Sequence, residues 1–151
     1  MKRLSLAAAT AAIALTTALP AVAQFRNAEA AIKYRQSVMV VQQHHLGRIF
    51  AMANGRIPFD ASVAAADAAV LDTIDKLPFV AFIDGSDKGD TRALPAIWTE
   101  RAKFDAAAQK MIDDVSKLNV AAKTGNLDQI KAAVGAAAQS CKACHDNYRK
   151  E

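Results

Sequence analysis

The sequence is poor in the residues that interrupt helices and in the patterns that form strands. Its 151 residues include 6 glycines and 4 prolines, and runs in which apolar and polar residues alternate are scarce. The alanine-rich segments instead repeat their apolar residues at intervals of three and four, which is the spacing of one face of an α-helix. The scarcity of strand patterns argues against a sheet protein, and the sequence predicts an all-α fold.

Long apolar runs are also rare, with one exception at the start of the chain. A basic "MKR" precedes an apolar run from Leu4 to Leu19, and "AVA" at 21–23 has the small-x-small pattern of a cleavage site. The run is shorter than the roughly 20 residues that cross a bilayer. We therefore expect 1–23 to be a signal peptide cleaved after Ala23, with an uncleaved anchor as the alternative. The exported domain would be 24–151, periplasmic and not inserted in a membrane.

Blocks of like charge are missing as well. The net charge is +4, with 19 basic and 15 acidic residues interspersed along the chain, so a nucleic-acid partner is not expected. Paired carboxylates or an activated serine are also not evident, and we expect the protein not to be an enzyme.

Gly/Pro clusters divide the chain into four helical segments, at about 27–53, 61–77, 96–123 and 127–149. The connections are short except for the polar loop "FIDGSDKGDTRALP". Four helices with such connections predict an antiparallel up-down four-helix bundle.

Each segment has a candidate core face. The faces of the second and third segments are Val63, Val70, Ile74 and Leu77, and Phe104, Met111, Val115 and Leu118. The face of the fourth comprises Leu127, Ile130, Val134, Ala137, Cys141, Cys144 and Tyr148. The face of the first comprises Ala28, Ile32, Arg35, Met39, Gln42, Leu46, Ile49 and Ala53, of which Arg35 and Gln42 are polar.

The only two cysteines belong to the run Cys141-Lys142-Ala143-Cys144-His145, a C-x-x-C-H sequence. Two thiols three residues apart on one helical face can form thioethers with the vinyl groups along one edge of a porphyrin, and the histidine that follows can bind the iron. The motif predicts one covalently attached haem c in the bundle core, with His145 as axial ligand.

Three other interpretations of the motif remain. Structural zinc would need four ligands, which His44 and His45 would have to complete without the usual spacing. A redox dithiol would need a βαβ context, and a lone disulfide would leave His145 without a role.

Arg35 is the unexpected member of an apolar face. A haem carries two propionates at the rim of its pocket, and the planar guanidinium could pair with them. The alternative is that Arg35 extends its head out of the bundle along its aliphatic stem.

Four stretches and the helical layout together carry a family resemblance. With "AIKYRQS", "LPFVAF", "IW" and "SCKACHDNYRKE", the chain resembles the class II c-type cytochromes, and among them the cytochrome c′ family, from Gln24 to its end. The resemblance implies a five-coordinate, high-spin haem iron with His145 on the proximal side. It also implies an apolar distal face that binds nitric oxide and carbon monoxide but hardly oxygen.

The resemblance also assigns residues around the haem. Met39 matches the residue over the open face, Arg149 a proximal arginine, and Arg35 an arginine near a propionate. Phe79 stands where close relatives often have tryptophan, and Phe82 matches a second aromatic residue of the haem surroundings.

Met39 leaves a second function open, because a thioether is a good iron ligand. With Met39 bound, the protein would resemble the low-spin, electron-transfer cytochromes c-556 and exchange electrons with an unidentified redox partner. The resemblance further implies a homodimer formed through the first two helices, where Val38, Val41 and Phe50 lie off the core face.

Overall fold

The computed structural model describes residues 24–151, so the predicted signal peptide lies outside the described residues. The helices are α1 (Ala28–Ala53), α2 (Ala61–Ile74), α3 (Ala96–Thr99), α4 (Arg101–Lys123) and α5 (Leu127–Tyr148), and a single 3₁₀ turn spans Phe79–Ala81. The prediction of an all-α fold is confirmed.

Three of the long helices begin at a side chain that caps them. Asn27 accepts a hydrogen bond from the N–H of Ala30, Asp60 from those of Ser62 and Val63, and Asn126 from those of Asp128 and Gln129. Each cap satisfies N–H groups that have no partner within the helix and contributes about 1 kcal/mol. The predicted starts of these helices are correct to within one residue because the caps are visible in the sequence.

Two predicted boundaries are wrong. α2 ends at Ile74 rather than at Leu77, since Pro78 has no N–H to donate to the carbonyl of Ile74 four residues earlier and the chain turns there. The third predicted helix is divided at Glu100, whose φ of −119° and ψ of 40° leave the helical region. The short α3 and the long α4 result.

The four long helices form the bundle. α1 packs on α2, α2 on α4, α4 on α5, and α5 closes the ring against α1. This order is that of an up-down bundle, and the predicted four-helix architecture is confirmed. Among the helices between residues 24 and 151, none combines the length and apolar character that crossing a bilayer requires.

Two apolar clusters fill the bundle. The larger one includes Ile49, Leu71, Leu118, Ile130 and Val134, from all four long helices. The smaller one consists of Phe82, Ala93, Ile97 and Phe104. The predicted core face of α4 is confirmed, since all four of its residues are buried.

The predicted core face of α2 is wrong apart from Val63, which is partly buried and packs against the larger cluster. Its buried residues are Ala64, Asp67, Ala68 and Leu71, continued past the helix by Asp75, whereas Leu77 is 38% exposed. Alanines occur on most sides of this helix, so the pattern of its apolar residues does not show clearly which side faces the core. The true buried face contains two aspartates, which a search for apolar periodicity passes over. Leu127, predicted to be in the core face of α5, is also exposed.

Candidate functional site

A cavity of about 590 Å³ opens within the bundle, between α1, α2, α4, α5 and the loop that precedes α3. Its lining includes every residue that the sequence assigned to the haem site, namely Arg35, Met39, Phe79, Phe82, Cys141, Cys144, His145 and Arg149. The volume is in the usual range of cofactor and ligand sites. The fold thus brings residues from both ends of the chain to one place.

Cys141 and Cys144 lie in the last two turns of α5 as free, partly buried thiols. Burial raises the pKa of the Cys141 thiol, and it raises the pKa of Cys144 to about 11. A redox dithiol acts through a thiolate, and this environment opposes that state at neutral pH. In the described structure the two sulfurs are not joined in a disulfide, and the raised pKa values of both thiols disfavour a redox dithiol.

His145 follows Cys144 in the last turn of α5 and is partly buried at the cavity. Burial lowers the pKa of its imidazole, and the positive charges of Arg149 and Arg92 lower it further. The ring is therefore neutral at pH 7, which leaves one nitrogen lone pair available. A neutral imidazole is the form that binds iron.

The aromatic side of the cavity is built from contacts between rings. The centroid of Phe104 lies 4.9 Å from that of Phe82, 5.3 Å from that of Tyr148 and 5.9 Å from that of Phe79. Met39 of α1 packs against the same cluster. Together they give this part of the cavity an apolar surface suited to a macrocycle.

Arg35 is 2% exposed, so the alternative that its head extends out of the bundle is wrong. Nη1 donates to the carbonyl of Ala81 (3.0 Å) and to Oγ of Ser86 (2.8 Å). Nη2 donates to the carbonyl of Ser86 (2.7 Å) and to Oγ1 of Thr91 (2.9 Å). Burial lowers the pKa of this guanidinium. Hydrogen bonds to four protein oxygens therefore compensate for the burial of the guanidinium. Its contact with a haem propionate stays a prediction.

Arg149 lies at the rim of the cavity, just beyond α5, next to the loop that precedes α3. Backbone hydrogen bonds join the two segments, from the N–H of Leu94 to the carbonyl of Tyr148 (2.9 Å) and from that of Lys150 to the carbonyl of Arg92 (2.8 Å). Arg92, which the sequence analysis did not identify, is exposed and lines the cavity too. The rim is therefore positively charged, as a site for carboxylate groups would be.

Asp75 is a second residue that the sequence analysis missed. It lines the cavity, is 2% exposed, and its Oδ1 has no hydrogen-bond partner among the described residues. Gln42, for which the sequence indicated no role, lines the cavity too and reaches the carbonyls of Ile74 and Asp75. The expectation of a purely apolar cavity next to Met39 is therefore wrong.

The two adjacent histidines lie elsewhere. His44 is exposed, and His45 contacts Asp67 through Nδ1 (2.7 Å). Neither lines the cavity, and residues 24–151 contain no group of three or more His, Cys, Asp or Glu side chains placed to hold a metal ion. The arrangement needed for a zinc site with the two cysteines is not formed there.

Comparison with known proteins gives consistent results. The family model described as Cytochrome C' matches residues 30–149. Cytochrome c′ of Rubrivivax gelatinosus is 49% identical over 129 residues, which are 85% of this chain and 100% of that protein. Cytochrome c′ of Alcaligenes xylosoxydans xylosoxydans is 43% identical over 128 residues, covering 85% of this chain and 99% of that protein.

Solved structures agree with the sequence relatives. The crystal structure of the R. gelatinosus protein has a TM-score of 0.82, with 84% of this chain and 100% of that chain covered, at 49% identity. Structures of variants of the Alcaligenes xylosoxidans protein, one with bound nitric oxide and one with bound carbon monoxide, both have a TM-score of 0.80 at 41% identity. Each covers 85% of this chain, with 99% and 100% of the solved chains matched.

Proposed function

The chain belongs to the cytochrome c′ family, and from that membership we propose that it is a periplasmic haem c protein that binds nitric oxide and carbon monoxide. The iron would be five-coordinate and high-spin, with His145 as its protein ligand. The observation that carries the proposal is that both thiols and the imidazole of the C-x-x-C-H motif line one cavity with Met39.

The residues fit a covalently held haem. Cys141 and Cys144 would form its two thioethers, His145 would bind the iron, and the aromatic cluster would pack on the macrocycle. The exposed Arg92 and Arg149 line the same cavity, where they could pair with the carboxylate groups of the cofactor. When bound, the haem supplies an iron that takes up diatomic ligands and exchanges electrons.

Gas binding is proposed from the relatives. Variants of the A. xylosoxidans cytochrome c′ have been solved with nitric oxide and with carbon monoxide, and this chain has 41% sequence identity to them. The residues around this site would attach, ligate and enclose a cofactor, and we propose that the protein binds gases and exchanges electrons with an unidentified redox partner rather than acting as an enzyme.

A second candidate function rests on Met39, which lines the same cavity. If its sulfur binds the iron, the protein is a low-spin, Met/His-ligated electron carrier of the cytochrome c-556 type. The optical spectrum of the ferrous holoprotein separates the two candidates. A broad Soret band indicates the open site and sharp α and β bands indicate methionine ligation. Titration with nitric oxide and carbon monoxide then tests ligand binding directly.

Export and assembly are further parts of the proposal. The holoprotein should be found in the periplasmic fraction and begin at Gln24, which intact-mass measurement checks. We also propose a homodimer that uses α1, where Val41 is 43% exposed. Sedimentation at micromolar concentrations tests this, since a single-chain mass throughout would contradict it.

A further inference from the structure

Asp75 occupies an unusual place for a carboxyl group. It follows the last residue of α2 and lines the cavity, yet it is 2% exposed. Its Oδ1 has no hydrogen-bond partner among the described residues, although buried polar atoms nearly always have one. The burial of such a group costs free energy, so its partner is expected to be something that the cavity holds.

Gln42 links the end of α2 to the helix that carries Met39. The carboxamide nitrogen of Gln42 donates to the carbonyl of Ile74 (3.4 Å) and to that of Asp75 (3.5 Å), which have no partner within α2. Gln42 follows Met39 by three residues on α1, and both side chains line the cavity. Asp75 is therefore held at the α1 side of the cavity, on the same wall as Met39.

The surroundings favour the neutral carboxyl. Burial raises the pKa of Asp75, and the charge of Asp72 raises it further, while Lys76 and its backbone N–H oppose the shift. The negative end of the α2 dipole also disfavours an anion at this position. The cavity residues contributed by α1 near Asp75 and by α4, which are Met39, Gln42, Phe104, Met111 and Val115, carry no charge.

Charged and titratable groups face the cavity from other directions. They are Arg35 on α1, Arg92 in the loop before α3, and Cys141, Cys144, His145, Tyr148 and Arg149 on or just after α5. Arg35 is already hydrogen bonded to four protein oxygens, and the two thiols are neutral. None of them is hydrogen bonded to Asp75 in the described structure.

We propose that Asp75, held by Gln42, forms a hydrogen-bonding subsite in the wall of the cavity that α1 and α2 share, and that it takes the electronegative end of a small ligand. When it is protonated, the carboxyl donates its O–H to that atom. The proposal rests on the proposed function, since the ligand is the one bound in the cavity that Met39 lines, and it assigns a hydrogen-bond partner to the buried carboxyl of Asp75.

The probe is carbon monoxide bound to the ferrous holoprotein, observed by its infrared C–O stretch. A hydrogen bond to the bound ligand lowers the frequency of this stretch, so at a pH below the raised pKa of Asp75 the Asp75→Leu variant should show a higher C–O frequency than the parent. Asp75→Asn keeps an N–H donor, so its C–O frequency should stay nearer to that of the parent. Asp113→Asn, which changes an exposed carboxylate on α4, is the matched control and should leave the frequency unchanged. An unchanged frequency in Asp75→Leu would overturn the proposal.

The pH dependence of the C–O frequency gives a second measurement. It would not change if Asp75 had only a structural role. As the pH rises through the raised pKa of Asp75, the O–H is lost and the C–O frequency of the parent should rise. Asp75→Asn should show no such transition. Asp72→Asn should move the transition to lower pH, because it removes a like charge. A parent frequency that is constant with pH would contradict the proposal.

Failure of the proposed gas-binding function can be distinguished from failure of the Asp75 subsite. If the holoprotein takes up no carbon monoxide, the gas-binding function fails. The infrared C=O band of a protonated carboxyl group then still tests Asp75 in the same holoprotein. That band should be present in the parent at pH values below the raised pKa of Asp75 and absent in both Asp75→Leu and Asp75→Asn. Its absence from the parent would refute the neutral carboxyl, and with it the subsite.

Discussion

The guanidinium carbon of Arg35 lies 4.4 Å from the centroid of the Phe82 ring. Arg35 belongs to α1, whereas Phe82 begins the loop that covers the cavity, and the same guanidinium donates to Ser86 and Thr91 further along that loop. The cation–π contact and the hydrogen bonds act together on one segment. The helix that carries Met39 therefore also holds the loop that encloses the site.

This contact predicts that Arg35→Met destabilises the holoprotein. The variant keeps an unbranched side chain but removes the guanidinium donor from the buried oxygens of Ala81 and Ser86. Hydrogen bonds to a charged group contribute about 1.5–3 kcal/mol, so we expect the free energy of unfolding to fall by about 2–3 kcal/mol. Guanidinium chloride denaturation, followed by circular dichroism, measures the change.

Gln36→Ala is the matched control. Gln36 follows Arg35 on α1 and donates to the carbonyl of Asp90 in the same loop (2.9 Å), but it is exposed. We expect a change within about 0.5 kcal/mol, as for other surface substitutions. Equal effects of the two variants would mean that burial of the guanidinium does not stabilise the loop.

The positions of the long helices could be predicted from the sequence because their signals are local. Asn27, Asp60 and Asn126 lie next to the helices that they cap, and the glycines and prolines that separate the helices are equally visible. The C-x-x-C-H motif is local too. For that reason the attachment residues could be identified before their cavity was known.

The polar contacts of the site could not be predicted in the same way, because they join segments far apart in the chain. The partners of Arg35 are the backbone carbonyl of Ala81 and two small polar residues, Ser86 and Thr91, about fifty positions away, and such groups are common in any connecting segment. Asp75 was missed because the orientation of α2 was predicted from apolar residues alone. Its buried face depends on which side meets α1 and α4, which only the assembled bundle defines.

Asp67 predicts a pH dependence of stability. It is 1% exposed and accepts hydrogen bonds from Arg48, through Nε and Nη2, and from His45. Burial raises the pKa of Asp67, but the bonds from Arg48 and His45 outweigh burial and lower it overall. The ionised carboxylate of Asp67, with its bonds from Arg48 and His45, therefore stabilises the fold above the unfolded-state pKa of about 3.9. This stabilisation is lost as the pH falls through the lower, folded-state pKa.

Asp67→Asn should accordingly reduce the free energy of unfolding at pH 7 by about 2 kcal/mol. This is less than the cost of breaking a fully buried ion pair, because Arg48 is 42% exposed and solvent weakens the interaction. The difference between the parent and the variant should shrink as the pH is lowered below about 4. Urea denaturation at several pH values measures this difference.

The control is Asp105→Asn, which breaks the exposed pair with Arg101 and should lower the free energy of unfolding by no more than about 0.5 kcal/mol. A difference for Asp67→Asn that does not vary with pH would contradict the assignment.

Covalent attachment predicts the behaviour of the cysteine variants. With Cys141 and Cys144 both replaced by Ser, the chain should carry no haem that survives acid-acetone extraction, since no thioether can form. Each single variant should retain at most one thioether, which the optical spectrum of the pyridine complex distinguishes. Recovery of extraction-resistant haem from the double variant would refute the attachment site.

Met39 provides the test of how closely the distal wall approaches the iron. Its side chain lines the cavity and packs against the cluster of Phe82 and Phe104, so it is placed to hinder an incoming ligand. Met39→Ala removes this bulk, and we expect carbon monoxide to bind about tenfold faster, equivalent to about 1.4 kcal/mol of barrier. Stopped-flow mixing of the ferrous holoprotein with carbon monoxide measures the rate.

The control for Met39→Ala is His44→Ala, an exposed position on the same helix that does not line the cavity, where the rate should not change. The ferrous spectrum recorded without carbon monoxide distinguishes two reasons for a faster rate. If Met39 only covers the open face, parent and variant are both high-spin and their spectra agree. If its sulfur binds the iron, the parent is low-spin and the variant becomes high-spin. If carbon monoxide binds no faster to Met39→Ala than to the parent, then Met39 does not cover the iron, and the residue match that places it there is wrong.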